Sequence, residues 1–473
     1  MSTSENPFAH EMPAKLKSDA VLTGLEGSKS LRWWPAAVLL LAMVIMKLLP
    51  SVLESVSMTV LMIGFMGPAG ISLLIMVWWM FASRAGVKEK LIGVAGVAVL
   101  GVIATSLLHF TMEGMSVILF LIPTGVGLFG LALVILAHQP ASRLKAALMC
   151  SAVGFGVWDL LHSEGVTGKF DAELGWRWSP TREQKYLRGL AERSAAADGD
   201  VGNNAGSETV IRADAQWSDF RGPLRDGKLP GIVLNEDWTT TPPRLVWKTP
   251  IGPGWSSFTV AGNRLFTQEQ RGDNEVVVCL NADTGSILWT HEYPGRFWEA
   301  IAGVGPRATP TIGDEGVVSF GADGQLTCLD PVTGDVRWER DIQADPDCRP
   351  PMWGYSASPL IHNDLVVIHV GGKANKGVLA FDAKTGEPRW SVASGNHSYS
   401  SPQLATFDGI EGILMSTNDG LQFLNEADGA TIWNHEWKVE NYRATQPLVV
   451  GDAVLFGTSL ALGTRRLAVK HEA

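Results

Sequence analysis

The chain has 473 residues, 46% of them apolar, and a formal net charge of −10. That length allows several domains, and the composition admits a membrane protein as readily as an ordinary globular one. An acidic balance without any basic run argues against nucleic acid as a partner.

The average conceals a division: between Trp33 and Leu161 only ten residues are charged, whereas the remainder is rich in charges and turn residues. Residues 1–30 are polar and of mixed charge, and several apolar stretches follow them instead of one, so they read as a cytoplasmic tail and not as a secretory signal. Residues 31–161 read as a transmembrane helical domain of about five spans: Trp33–Leu49, Val56–Ala82, Leu91–Phe110, Met115–His138 and a short fifth, Ala146–Leu161. Lys15, Lys17, Lys29 and Arg32 precede the first span, Arg84, Lys88 and Lys90 mark one connection and Arg143 and Lys145 another. The connections near Glu54 and Glu113 carry neither Lys nor Arg. This alternation predicts a multi-pass protein of the cytoplasmic (inner) membrane with its N-terminus inside, and five spans then deliver everything after them to the periplasmic, extracytoplasmic side. Four spans would leave it in the cytoplasm.

Within the spans, Gly125-Val-Gly-Leu-Phe-Gly130 matches the dinucleotide fingerprint formally, but no strand precedes it. Helix packing through small residues is the better reading. Gly64, Gly67, Pro68 and Gly70 likewise suggest a kinked, closely packed second span. Lys47, His109, Glu113, Asp159 and His162 fall near span ends, where long polar side chains reach the interface. Residues 162–213 read as a juxtamembrane helix and flexible linker: Trp176 and Trp178 as an interfacial anchor or rim contact, Thr181 with Gln184 as a helix start, and Ser194–Glu208 as the tether.

Residues 214–473 are organised by a repeat. Asn281-Ala-Asp-Thr-Gly285-Ser-Ile-Leu-Trp289 recurs as Asp330-Pro-Val-Thr-Gly334-Asp-Val-Arg-Trp338, Asp382-Ala-Lys-Thr-Gly386-Glu-Pro-Arg-Trp390 and Asn425-Glu-Ala-Asp-Gly429-Ala-Thr-Ile-Trp433. Asp or Asn caps a turn, Gly supplies the positive φ that closes it, and the next strand carries Trp. Ala308-Thr-Pro310, Ala357-Ser-Pro359, Ser400-Ser-Pro402 and Ser256-Ser257-Phe258 stand 24 to 27 residues before each turn glycine, at strand starts. Four short strands fit each unit, and Trp247, Trp289, Trp338, Trp390 and Trp433 are 42 to 52 residues apart, the period of propeller blades.

This [DN]-x-x-[TD]-G-x-x-x-W pattern resembles the tryptophan-docking repeat of the pyrroloquinoline quinone (PQQ)-like β-propellers, a family that includes quinoprotein dehydrogenases and an outer-membrane assembly propeller. The resemblance runs from about Trp217 to the C-terminus, and Trp217-Ser-Asp-Phe-Arg-Gly-Pro223, Gly252-Pro-Gly-Trp-Ser-Ser257 and Gly305-Pro-Arg-Ala-Thr-Pro310 look most like membrane-attached members from planctomycete-type bacteria. It implies an all-β propeller of four-stranded blades. In such rings a strand from one terminus pairs with strands from the other. Here Arg244–Thr249 has the form of an outermost strand, while Thr445–Val450, Ala453–Gly457 and Arg465–Lys470 supply three strands before the chain stops. The expectation is an incomplete fan or a closure of about five blades.

Quinoprotein dehydrogenases of the family combine a stacking Trp, an adjacent-cysteine disulfide, Ca²⁺ and an Asp base. Cys150, Cys279, Cys328 and Cys348 include no adjacent pair, and Cys279 and Cys328 occupy equivalent repeat positions, where free core thiols are expected. Asp323 and Asp419 lie in Asp-Gly turns and read as structural, and the spacing suggests no metal site. Trp255, Arg307, Tyr355, His397, Tyr399 and Arg443 lie on loops entering the blades, and a ring of such residues at the mouth suits an aromatic, anionic or peptide ligand. Two functions follow. One is a non-catalytic, membrane-tethered binding or scaffold module for envelope proteins or a small ligand at the mouth, with no cofactor. The other is a PQQ- and Ca²⁺-dependent dehydrogenase that passes electrons to membrane quinone.

Overall fold

The computed structural model of the protein describes residues 30–53, 58–166, 172–197, 215–229, 231–299, 301–440, 442–458 and 463–470. The expected cytoplasmic tail therefore lies almost wholly outside the described residues. Two compact units emerge, Met1–Ser179 and Pro180–Ala473.

The first unit is helical: α1 (Trp34–Val52), α2 (Met58–Phe81), α3 (Val87–Leu107), a π turn (Val117–Leu121) running into α4 (Ile122–Ile135), and α5 (Arg143–Gly156) continued by a 3₁₀ turn (Val157–Leu160). Four of these stretches, Trp34–Val52, Thr59–Phe81, Val87–Leu107 and Val117–Ile135, are long and apolar enough to cross a membrane. They are apolar on all sides, and many of their large side chains, such as Leu41, Leu73, Val102 and Ile135, face outward, as suits helices surrounded by lipid. The fifth expected span corresponds to α5 and its 3₁₀ extension. Arg143, at the start of α5, is buried and makes a bidentate pair with Glu89 of α3, each N–O distance 2.6 Å. Gly125 and Gly130 act as helix-packing residues: a Cβ at Gly125 would stand 2.3 Å from the Phe155 ring, and one at Gly130 would be 3.2 Å from Ile75. Lys47 rests over the Phe120 and Phe65 rings at 5.3 and 5.8 Å. One element was not expected from sequence, the hairpin of β1 (Leu161–Val166) and β2 (Ala172–Trp176), which places the His162 ring 5.7 Å from that of His109. Trp176 and Trp178 stack on each other at 5.1 Å and are both exposed.

The second unit opens with α6 (Arg182–Ala197). Its start is the reciprocal capping box anticipated from Thr181 and Gln184: Gln184 N donates to Thr181 Oγ1 and Thr181 N to Gln184 Oε1, both at 3.1 Å. Ser194–Ala197, expected in the linker, continue this helix, since Ala and Ser at its polar end carry no helix breaker; residues 198–208 lie outside the described set. The helix packs on the first sheet. Tyr186 donates to Glu269 at 2.6 Å, and Glu183 takes both Arg296, at 2.9 Å, and the amide of Gly272.

Four antiparallel four-stranded sheets follow in sequence order. They are β3–β6 (Thr259–Ala261, Arg264–Arg271, Asn274–Asn281, Ile287–Pro294), β9–β12 (Thr311–Gly313, Gly316–Phe320, Gln325–Leu329, Val336–Asp341), β13–β16 (Leu360–His362, Leu365–His369, Val378–Asp382, Pro388–Val392) and β17–β20 (Gln403–Phe407, Ile410–Thr417, Gly420–Leu424, Thr431–Glu436). The minor hairpin of β7 (Trp298–Glu299) and β8 (Gly303–Val304) lies between the first two. A three-stranded sheet, β21–β23 (Leu448–Val450, Ala453–Gly457, Thr464–Ala468), ends the array. Each sheet is a meander, and β10 and β14 are buried at every residue, apolar apart from Ser319 and His369.

Of the two arrangements expected, the composite blade finds no strand pairing among the described residues. Arg244–Thr249 is largely exposed and pairs with no strand among the described residues. The physical reason is placement. Trp247 is held at the first sheet, its Nε1 donating to Ala282 O at 2.8 Å, whereas β21–β23 share a core with β17–β20 through Phe407, Phe423, Val454 and Phe456. No strand of the first sheet pairs with one of the fifth among the described residues.

Candidate functional site

The repeat positions explain how the fan is held. In each turn the Asp or Asn side-chain oxygen accepts backbone amides two or three residues on. Asn281 accepts from Asp283 and Thr284 and Asp330 from Val332 and Thr333; Asp382 accepts from Lys384 and Thr385 and Asn425 from Ala427, all between 2.8 and 3.1 Å. Gly285, Gly334, Gly386 and Gly429 then take φ of 70°, 79°, 69° and 72°, the left-handed region that a side chain enters at a cost. One residue before each tryptophan the ladder slips by a bulge, so that Cys279 faces Trp289, Cys328 faces Trp338, Ala380 faces Trp390 and Phe423 faces Trp433.

Each indole lies on the turn of the next sheet. Trp247, Trp289, Trp338 and Trp390 donate Nε1 to the carbonyls of Ala282, Pro331, Ala383 and Glu426 at 2.8, 3.2, 2.8 and 2.8 Å. Their rings cover Gly285, Gly334, Gly386 and Gly429, where an added Cβ would come within 2.5 to 2.7 Å. The turn glycines are thus doubly required, by φ and by the indole. Trp433 is the exception: its Nε1 is buried without a hydrogen-bond partner.

A second lattice, at the inner strands, gives the Thr/Ser-Pro motif its role. The amides of Ser257, Thr309 and Ser358 donate to the hydroxyls of Thr309, Ser358 and Ser401, one sheet further on, at 3.0, 3.0 and 2.9 Å. Across these strands runs the segment beginning at Trp217, which bridges Val260 through both backbone groups. Arg225 is fully buried there and binds the carbonyls of Ser358, Pro359 and Pro402 and the hydroxyl of Thr311, while its guanidinium meets the buried Asp219 carboxylate at 3.3 Å. The sequence marked Trp217–Pro223 as distinctive, but Arg225 itself was missed, because nothing local distinguishes it from a solvated arginine.

The six mouth residues divide. Arg443 is wholly enclosed, with its guanidinium on the carbonyls of Thr417, Asn418 and Trp437 and near the rings of Trp437 and Phe456. Tyr355 is 2% exposed and stacks on Phe320 at 4.9 Å. Arg307 lies over the Phe297 ring and reaches Gly303 O at 2.9 Å and Glu299 at 3.4 Å, and burial pushes its pKa down. These three brace loops. Trp255 is 64% exposed, donating from Nε1 to Ala302 O at 2.9 Å and from its amide to Pro306 O at 2.8 Å. His397 and Tyr399 belong to an aromatic cluster with Trp353 and Tyr442, which the sequence reading did not single out: ring centres are 6.0 Å apart for His397–Tyr399, 5.4 Å for Trp353–Tyr399, 5.2 Å for Tyr399–Tyr442 and 4.3 Å for Trp353–Tyr442. Burial lowers the His397 pKa, so its imidazole is neutral at physiological pH. The signal for the missing pair was available, since Trp353 and Tyr442 stand on the same class of loop as Tyr399.

Buried carboxylates stand close by. Glu275 accepts from Tyr293 Oη at 2.9 Å and the Ala322 amide at 3.1 Å, and burial pushes its pKa up to about 7. Asp323, in its turn, is also raised by burial. All four cysteines are free, with Cys279, Cys328 and Cys348 buried; burial pushes the first two thiols up to about 12.

Residues 238–375 and 367–470 match the protein family described as outer membrane protein assembly factor BamB. The BamB of Moranella endobia (strain PCIT) is 31% identical over 155 residues, 31% of this chain and 38% of that protein. Among solved structures, BamB from Moraxella catarrhalis is similar at 20% identity, covering 45% of this chain and 59% of that one with a TM-score of 0.29. Quinohemoprotein alcohol dehydrogenase from Comamonas testosteroni is similar at 14% identity, covering 57% and 49% with a TM-score of 0.35. The chain spans well under two thirds of the length of each.

Proposed function

From the membership of residues 238–470 in the PQQ-like repeat family, we propose that the chain is a membrane-tethered propeller of the binding type. It carries its repeats on the extracytoplasmic side and holds an envelope polypeptide at its mouth. The observation that carries this reading is the cluster of Trp353, His397, Tyr399 and Tyr442 on loops that enter the blades, the same class of loop that carries the exposed Trp255. Rigid amphipathic rings contribute large contact area with little loss of side-chain entropy, and they suit an extended peptide better than a compact ionic ligand.

The helices support the tether. Four stretches meet the length and hydropathy of a span, and residues 143–160 add a fifth helical run that at about 1.5 Å per residue is roughly 27 Å long, close to the hydrocarbon thickness. Five crossings, with basic residues beside Arg84–Lys90, put the repeats outside.

The dehydrogenase alternative receives less support. At the inner strands Arg225, Asp219 and the hydroxyls of Thr309, Thr311, Ser358 and Ser401 are engaged in holding one sheet to another. A photo-crosslinking amino acid at position 442 tests the binding reading in cells. Discrete adducts with an envelope protein, abolished by Trp353→Ala, are the expected result. Dye reduction by the purified chain loaded with PQQ and Ca²⁺, with no adducts, would replace this reading by the enzymatic one.

A further inference from the structure

At the opposite end of the strands from the aromatic rim, three side chains converge that lie far apart along the chain or share no local motif. His362 ends β13 of the third sheet. Glu411 lies just past the β17–β18 turn of the fourth sheet, and Glu426 is in the docking turn between β19 and β20 of that sheet. His362 Nε2 stands 3.2 Å from Glu411 Oε1 and 3.0 Å from Glu426 Oε2, and the three ligand atoms all lie within 4.8 Å of one another.

Three features separate this arrangement from an ordinary surface ion pair. First, His362 Nε2 and Glu426 Oε2 are both shielded from solvent, yet neither forms a hydrogen bond despite their 3.0 Å separation. Their contact lacks the angle of an N–H donated to the carboxylate. Second, the separations are those of neighbouring ligands on one ion: with bonds of about 2.1 Å, donors at a right angle are about 3.0 Å apart and tetrahedral donors about 3.3–3.4 Å. Third, Glu426 is oriented from behind. Asn363 Nδ2 donates to its Oε1 at 3.1 Å, leaving Oε2 toward His362, and its backbone carbonyl is fixed by Trp390. Such support of a carboxylate is what holds a metal ligand in position.

We propose that His362, Glu411 and Glu426 form a divalent-cation site that staples the third sheet to the fourth. One imidazole and two carboxylates suit an ion of borderline hardness, Zn²⁺ or Mn²⁺ in preference to Ca²⁺ or Mg²⁺. Glu411 is half exposed, so water completes the shell, and the site is structural in kind. It is independent of what the rim binds.

The test is titration of the full chain in detergent with Zn²⁺ and, separately, Mn²⁺, followed by calorimetry, by Mn²⁺ electron paramagnetic resonance and by the thermal unfolding midpoint. One ion per chain at micromolar affinity is expected, with a midpoint that rises on metal addition. His362→Ala and Glu426→Gln should each weaken binding at least tenfold and abolish the rise. Glu411→Gln changes only a half-exposed group and should show the same loss of affinity with an unaltered metal-free midpoint, so it decides the matter if the other variants fold poorly. No saturable binding of either ion, or binding retained within threefold by Glu411→Gln and Glu426→Gln, overturns the site.

Discussion

Trp338 and Trp433 hold the same place in the second and fourth repeats but meet different surroundings. Trp338 is 7% exposed and its Nε1 donates to Ala383 across the seam, whereas Trp433 Nε1 is buried with no partner. Phenylalanine at either site loses similar ring area, but only at 338 does it leave a carbonyl unsatisfied. Trp338→Phe should therefore destabilise the chain by about 1 kcal/mol more than Trp433→Phe, read from paired denaturant titrations. Equal losses would remove the hydrogen bond from the account of docking. Gly386→Ala tests the other half of the contact. Its φ is 69° and the new Cβ would meet Trp338 at 2.7 Å, so a loss of about 2–4 kcal/mol is expected from strain and displacement together. Glu275 supplies a pH signature at the same scale. Burial raises its pKa from 4.5 to about 7. The unfolded chain thus releases this proton at lower pH than the folded one, and stability falls as pH rises through the window from about 4.5 to 7. The full effect is on the order of 3 kcal/mol. Glu275→Gln keeps an acceptor for Tyr293 or Ala322, and the unfolding midpoint of the variant should decline less than that of the parent between pH 5 and 7.

Among the elements, the segment holding Asp219 and Arg225 has no counterpart in the repeat, yet it bridges the first sheet through Trp217 and reaches three more through Arg225. Arg225 reaches Thr311 of the second sheet, Ser358 and Pro359 at the entry to the third and Pro402 at the entry to the fourth. Truncating it would unpair a fully buried carboxylate and release those carbonyls, so Arg225→Ala should cost about 3–5 kcal/mol. Adding Asp219→Asn should restore part of that loss, which a double-mutant thermal-unfolding cycle would detect. This also shows where sequence reading succeeds and stops. The docking turns were legible because a capping Asp or Asn, a positive-φ Gly and a Trp at fixed spacing are each local requirements, and the capping box of Thr181 and Gln184 was legible for the same reason. Arg225 with its carbonyls, the Trp353–Tyr442 contact and the approach of His362 to Glu411 and Glu426 bring together residues 49 to 177 positions apart, and no local pattern encodes that. The outer strand expected at Arg244–Thr249 failed similarly: its Trp docks as its motif requires, but strand pairing needs a neighbour that the array does not bring to it.

For the whole molecule, the number of crossings decides on which side of a bilayer the repeats stand, because four and five predict opposite answers. The four helices that satisfy the length and hydropathy of a span include neither α5 nor its 3₁₀ extension. Even so, α5 begins with a buried Arg143 paired to Glu89 and packs Phe155 against Gly125 of α4, which holds it among the other helices. Thiol labelling separates the cases with little background, since Cys279, Cys328 and Cys348 are buried and the first two thiols are pushed up to about 12, far from the reactive thiolate. Lys88→Cys lies at the exposed start of α3 and Glu387→Cys on an exposed docking turn of the third sheet. With Cys150 replaced by Ser, a membrane-impermeant maleimide applied to intact spheroplasts should modify position 387 and leave position 88 untouched until the membrane is permeabilised. Modification of both positions only after permeabilisation would mean four crossings, place the aromatic rim in the cytoplasm and exclude an envelope polypeptide as its ligand.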